Sequence, residues 1–273
     1  MFQGYGFFDY KYNIPGYDGQ DFDSPARLIY IIASFVLIAI FLILFRKTKK
    51  EQVTLMMRII GIFMVSIYLI KTTWESYFDI TTGRGFNLGL LPFDTCSLIM
   101  PACLIAGFAK GKAKKAAECW LSTGGIVGGL ATIFFIQALK YYPFFTFGAF
   151  YSMLWHIVMV FVGCWLYVTG VVEVNLKTVL YGFIFHLIFS VFVIPYDYIM
   201  DQDFMLYLGA GGMPLIEDLA DIFQENHIRF LTTILVLHLY FAAFSLVSSL
   251  AFGLEKLFAL FFKKKEPKTI PEE

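Results

Sequence analysis

The chain predicts an all-α, polytopic membrane protein: a bundle of seven transmembrane helices with its N-terminus outside and its C-terminus in the cytoplasm. Hydrophobic residues make up 59% of the 273 positions, charged residues only 15%, and mean hydropathy is +0.71, whereas an ordinary soluble domain is about 25% charged. The apolar residues also gather into runs of about 20 residues that are apolar all round, the length a helix needs to cross a hydrocarbon layer of about 30 Å and twice that of a barrel strand. A soluble fold is excluded.

Taken in order, residues 1–26 are an extracellular segment in which Asp9, Asp18, Asp21 and Asp23 outweigh Lys11, the reverse of the basic start of a signal peptide, so the first apolar run reads as an anchor that stays. The seven runs are Arg27 to Phe45, Leu55 to Phe78, Leu90 to Phe108, Cys119 to Leu139, Phe147 to Gly170, Thr178 to Met200 and Arg229 to Ala251. The last continues past Gly253 to Phe262, which predicts a tilted span or an interfacial final turn. One transmembrane domain over 27–262 follows, with a cytoplasmic tail over 263–273.

Basic residues set the orientation, because loops that stay in the cytoplasm hold the excess of Lys and Arg. Arg46, Lys47, Lys49 and Lys50 follow the first run, Lys110, Lys112, Lys114 and Lys115 the third, and Lys256, Lys263 to Lys265 and Lys268 the last. All fall on one side, while the loop carrying Asp201, Asp203, Glu217, Asp218, Asp221 and Glu225 falls on the other. These basic runs orient the helices and touch anionic lipid; no nucleic-acid partner is expected, and the protein is placed in a cell membrane, taken as a bacterial plasma membrane. Zero net charge conceals that polarity.

The loop over 201–228 carries Gly209, Gly211 and Gly212, then Pro214 and an apolar–acidic alternation through Leu215, Leu219, Ile222 and Phe223. Proline at a helix start followed by spacings of three and four predicts a short amphipathic helix, either a lid hinged on the glycines or a plain connector. Gly124, Gly125, Gly128 and Gly129 form overlapping GxxxG patterns, which suit close helix packing and offer self-association through Gly124 and Gly128. Cys96, Cys103, Cys119 and Cys164 have no paired spacing, which argues against a disulfide framework.

Chemistry concentrates in LPFDTC, Leu91 to Cys96. A charged group inside a membrane segment costs about 2.5–3.5 kcal/mol even on a lenient scale, so its presence points to function. With Pro92 as the first helical position, Asp94 is the third, where a carboxylate is also simply favoured by free N–H groups and the helix dipole. At about 1.5 Å per residue Cys96 lies about 6 Å below that start, and His156 and His238 roughly 13 Å from the outer starts of their spans. Lys71, Glu75 and Asp197 approach the same side. His186 falls deeper and reads as a hydrogen-bonded packing residue, and Arg58 as a snorkelling one.

A thiol reacts when a base or a helix start helps it ionise. His156 is the natural base for Cys96, with Asp197, Asp94 or Glu75 to orient it. Plain packing is the readier account of a lone membrane cysteine and an equal account of a lone histidine, and their shared depth is what favours the pair. N–H groups after Pro92 are candidate oxyanion donors.

The stretch from Trp74 through Gly83 to LPFDTCSL resembles the YwaF-type integral membrane proteins, whose element LPLHLC opens a helix after a glycine-bearing outer loop. YSMLWH, ending at His156, is similar to that family's histidine helix, and IPYDYIMDQDFMLY, Ile194 to Tyr207, to its proline-asparagine helix end. A eukaryotic branch of the family is regarded as a phospholipid acyltransferase related to small membrane hydrolases that use a nucleophile and a histidine. The resemblance implies Cys96 as acyl-accepting nucleophile and His156 as general base. Asp94 stands where the family has histidine, and Asp197 where it has asparagine.

Two classes of function follow. One is a lipid acyltransferase or acyl-ester hydrolase using a Cys96–His156 pair open to the outer leaflet, with Asp94, Asp197, His238, Lys71 and Glu75 supporting it and a phospholipid or lysophospholipid as substrate. The other is a non-catalytic ligand-binding or transport protein, in which Lys71 and Glu75 form an ion pair and Tyr141, Tyr142, Phe144 and Phe145 shape the entrance. Neither needs a cofactor. A zinc site would need several ligands at one depth, and no HxxxH pair exists.

Overall fold

The computed structural model describes residues 6–10, 14, 25–135, 142–208 and 214–262, and every regular element among them is helical. Helix α1 (Pro25–Phe45) is followed by α2 (Lys50–Thr81), two 3₁₀ turns (Leu88–Leu90 and Thr95–Leu98) and α3 (Ile99–Phe108). Then α4 (Gly111–Trp120), a π turn (Leu121–Gly125) and α5 (Ile126–Phe135) run on as one interrupted helix. The chain closes with α6 (Phe147–Val168), α7 (Leu176–Met200), α8 (Pro214–Glu225) and α9 (Phe230–Phe262).

Six stretches among the described residues are long and apolar enough to cross a membrane: α1, α2, Leu88–Phe108, α6, α7 and Phe230–Glu255. The run expected over 119–139 falls on the interrupted α4–α5 helix and continues past its described end, so the structure supports six candidate spans rather than a count of seven. Helix α8 begins at Pro214 as the sequence predicts. Lys11, Asp18, Asp21, Asp23, Tyr141, the glycines at 209, 211 and 212, Lys263 to Lys265, Lys268 and the tail over 263–273 lie outside the described residues.

The helices are apolar all round because their outer faces meet lipid. On α1, Tyr30, Ser34 and Ile38 repeat at four-residue spacing and are buried, while Leu28, Ile32, Ile43 and Leu44 point outward. With lipid tails as apolar as leucine, close approach and hydrogen bonds hold such helices together. Gly61 and Gly107 let α2 and α3 pack tightly: a Cβ on Gly107 would lie 2.8 Å from the Arg58 backbone nitrogen. Arg58 is exposed, and its side chain is also held at the end of α3. Its Nε donates to the Gly107 carbonyl at 2.7 Å and its guanidinium lies 5.1 Å from the centre of the Phe108 ring, so it satisfies an otherwise free carbonyl at the end of α3.

Helix α6 is the centre of the bundle, with Trp155, Ile157, Met159, Val162, Trp165 and Leu166 all buried. Helix α5 packs closely on it because a Cβ on Gly129 would stand 2.6 Å from the Val160 side chain and 3.1 Å from the His156 carbonyl. Gly128 faces Met159, and Gly124 faces Trp120 and Phe244. The overlapping GxxxG pattern is therefore used inside the bundle.

Residues 6–10 fold over the end of the bundle that also carries the loop before α3. The Phe147 amide donates to the Phe7 carbonyl at 2.6 Å and Trp74 Nε1 to the Phe8 carbonyl at 3.1 Å. Tyr10 is buried against Trp74, Phe78 and Tyr142, with ring centres 5.3–6.0 Å apart.

Candidate functional site

Below that strap the chain enters its third span in a way that departs from the sequence expectation. Pro92 does not open a helix. The Phe93 amide donates to the Leu91 carbonyl at 2.8 Å, a tight turn centred on Pro92 whose ring-fixed φ suits it. Leu91 and Asp94 are both extended, so Asp94 is the residue before the 3₁₀ turn Thr95–Leu98, its carbonyl accepting from the Ser97 amide at 2.8 Å, rather than the third position of an α-helix. Cys96 thus sits in the first turn of the span, and the α-helix starts only at Ile99.

Three neighbouring helices pin this turn. Tyr68 of α2 donates to the Leu90 carbonyl, Trp155 of α6 donates through Nε1 to the Cys96 carbonyl at 3.1 Å, and Tyr240 of α9 shares a 2.6 Å hydrogen bond with the Thr95 hydroxyl. The Cys96 thiol is free and half-buried.

His156 is fixed by its own helix. Its Nδ1 lies 2.7 Å from the Ser152 carbonyl one turn back, and a carbonyl can only accept, so Nδ1 carries the hydrogen. Nε2 is then left with its lone pair, and it is buried with no hydrogen-bond partner among the described residues. The sequence assigned the orienting role to Asp197, Asp94 or Glu75. The structure gives it to a main-chain carbonyl, because a histidine at i+4 can turn its ring back onto the carbonyl of residue i.

Cys96 and His156 line one cavity of ≈ 140 Å³, together with Lys71, Asp94 and Tyr142. Tyr68, Tyr151 and Trp155 supply an aromatic wall. Lys71 and Glu75, expected as an ion pair, stand one turn apart on α2 with Nζ 2.5 Å from Oε2; Glu75 is buried and takes a second hydrogen bond from the Tyr142 phenol. Burial, and after it the Glu75 charge, holds the Tyr142 phenol well above its ordinary range, so it stays a donor. Gly148 makes room for that ring, since a Cβ there would meet it at 2.1 Å. The Lys71 ammonium also lies 5.8 Å from the centre of the Tyr151 ring.

Of the residues the sequence singled out, Cys96, His156, Lys71 and Asp94 meet at the cavity, and Glu75 stands directly behind Lys71. Two are elsewhere. Asp197 is buried in α7, where Oδ1 accepts from the Phe204 amide at 3.3 Å. His238 faces outward from α9 with Nδ1 donating to the Ile234 carbonyl at 2.7 Å, so its similar depth does not bring it to the site. His186 is a packed residue, as expected, with Nε2 3.0 Å from the Tyr207 hydroxyl. Sequence reasoning missed Tyr68, Tyr151, Ser152 and Trp155. A signal existed for three of them: Tyr151, Ser152, Trp155 and His156 share one face of a helix at spacings of one, four and five.

In comparisons with known proteins, a model of a transmembrane protein family, the TMEM164 family, matches residues 22–253. No curated protein and no solved structure matches the chain.

Proposed function

Since the chain belongs to the TMEM164 family and is a multi-pass membrane protein, we propose that it is a membrane-embedded acyltransferase or acyl-ester hydrolase in which Cys96 is the nucleophile and His156 the general base. One observation carries this reading: the thiol and a histidine whose buried Nε2 has no hydrogen-bond partner among the described residues line the same cavity. The resemblance to YwaF-type proteins points to the same two residues.

In the reaction, the Cys96 sulfur adds to the ester carbonyl carbon while its proton passes to His156 Nε2, and the carbonyl electron pair moves to oxygen. Collapse of that intermediate re-forms the C=O bond and breaks the ester C–O bond, and the leaving alkoxide takes the proton from Nε2. Water or a lysolipid hydroxyl then attacks the thioester by the reverse sequence. The main-chain partner on Nδ1 keeps the imidazole in the tautomer this requires.

A cavity of ≈ 140 Å³ is smaller than the roughly 300 Å³ at which pockets for whole small molecules begin. It suits the reacting ester of a phospholipid or lysophospholipid whose chains stay in the bilayer. We assign the cavity to the outer half of the membrane from the basic runs on the opposite side, and the α4–α5 helix to a seventh crossing.

The test is acylation of the purified protein in detergent by a phospholipid with a labelled acyl chain. Hydroxylamine-labile label on Cys96, absent in Cys96→Ala and His156→Ala, is the expected result. No label on Cys96, or label on another cysteine that survives both substitutions, overturns the catalytic reading and favours a ligand-binding cavity.

A further inference from the structure

Resting on that acyl-transfer reading, we propose that the Lys71 ammonium is the oxyanion-stabilising group of the cavity, receiving the carbonyl oxygen of the acyl donor as Cys96 adds to it. The reaction needs such a group. Charge that develops on the carbonyl oxygen inside a membrane has no water to meet it, and a fixed donor there commonly supplies the largest single part of catalysis.

Lys71 is the cationic side chain on the wall that holds Cys96 and His156. Several neutral donors around it are already committed: Trp155 Nε1 to the Cys96 carbonyl, the Tyr68 phenol to the Leu90 carbonyl and the Tyr142 phenol to Glu75. An ammonium has three N–H bonds in three directions, and Glu75 occupies one side of it. The remaining N–H bonds can serve a ligand.

The way Lys71 is held argues the same point. Glu75, one turn further along α2, fixes Nζ at 2.5 Å, and Tyr142 fixes Glu75 in turn, so a long flexible side chain is stationed before any substrate arrives. Burying an ion pair costs several kcal/mol per ion before its attraction is counted, and well-packed apolar residues often replace such a pair with no loss of stability. A pair at the edge of a cavity beside a nucleophile has a use that packing does not supply. Glu75 balances the Lys71 charge while the pocket is empty, and the cation is in place for negative charge that exists only while the carbonyl is tetrahedral.

The experiment compares two reactions of the same sulfur in the full-length protein in detergent. p-Nitrophenyl decanoate, an ester without a headgroup, acylates Cys96 through an oxyanion; iodoacetamide alkylates it by direct displacement and forms none. For Lys71→Met the expected result is a fall in the acylation rate of about 10²–10³-fold, an unchanged alkylation rate, and substantial recovery of acylation in Lys71→Arg. The unchanged alkylation also reports an intact cavity.

Equal acylation of wild type and Lys71→Met overturns the inference and leaves the Cys96–His156 reading standing. Parallel loss of both reactions overturns it too, because the charge then acts on the sulfur or on the fold. So does loss of acylation in Tyr151→Phe matching that in Lys71→Met, which moves the role to the phenol. Wild-type protein that is alkylated but never acylated at Cys96 removes the acyl-transfer reading itself, and this assignment with it.

Discussion

Two buried histidines mark two different walls of this bundle, one bordering a cavity and one packed among aromatic rings. His156 and His186 are 6% and 0% exposed, each uses one ring nitrogen in a hydrogen bond, and each leaves the other nitrogen without one among the described residues. His156 spends Nδ1 on a carbonyl and borders a cavity with a thiol and an ammonium. His186 spends Nε2 on Tyr207, which also meets the Ser190 hydroxyl at 2.5 Å, and its ring is enclosed by Tyr240, Phe244 and Phe183 with centres 4.3–6.5 Å away. The residue type is the same and so is the burial. What differs is whether a cavity or a set of aromatic rings stands beside the imidazole, and that is a property of packing.

The comparison breaks most visibly in activity. His156→Gln is expected to reduce acylation of Cys96 by about 10²–10⁴-fold, the span a positioned base contributes, whereas His186→Gln leaves it within the range set by protein stability. Rates of label incorporation for both variants, each normalised to folded protein, check this. Equal losses would place both histidines in one machinery and dissolve the distinction.

The next effect concerns how the cavity wall is held. Gly129→Val places new atoms against Val160 and the His156 carbonyl, where even a Cβ stands 2.6 and 3.1 Å away, and is expected to cost about 1–3 kcal/mol. A thermal unfolding series in detergent measures that cost, and the acylation rate should fall further than stability alone explains because α6 carries His156. A stable, fully active Gly129→Val would show that α5 does not set the position of the site.

A smaller effect sharpens the packed wall. Tyr207→Phe leaves His186 Nε2 and the Ser190 hydroxyl with one partner fewer, at about 1–3 kcal/mol for a buried group left unpaired. Unfolding temperature should drop while acylation by the folded fraction is kept. The thiols repeat the contrast: Cys96 at the cavity should react with iodoacetamide in the native state, and Cys103, fully buried in α3, only on unfolding. Peptide mapping of alkylated protein before and after denaturation reads both.

The sequence made some of this legible and hid the rest for physical reasons. Hydrophobic runs gave the positions of α1, α2, α6, α7 and α9, because in lipid the length of an apolar run is itself the structural constraint. The same signal hid the entry to the third span. Leu90 to Phe108 is uniformly apolar in outline, and nothing in hydropathy marks the turn at Pro92, the extended Asp94 or the helix that waits until Ile99. The Lys71–Glu75 pair was readable from i,i+4 spacing. Depth alone grouped His238 and Asp197 with the site, and depth says nothing of which side of its helix a residue occupies. The Ser152 carbonyl that orients His156 was beyond reach, since attention fell on carboxylates and a main-chain acceptor leaves no mark in composition.

The strap of residues 6–10 carries a consequence for biosynthesis. Its docking platform is built from Trp74 on α2 and Phe147 at the start of α6, and its Tyr10 closes against Tyr142, so the surface it needs does not exist until the chain has been translated and inserted as far as α6. The segment that leaves the ribosome early therefore finds its place late. The cover over Tyr142 is completed only after the helices beneath it have been made.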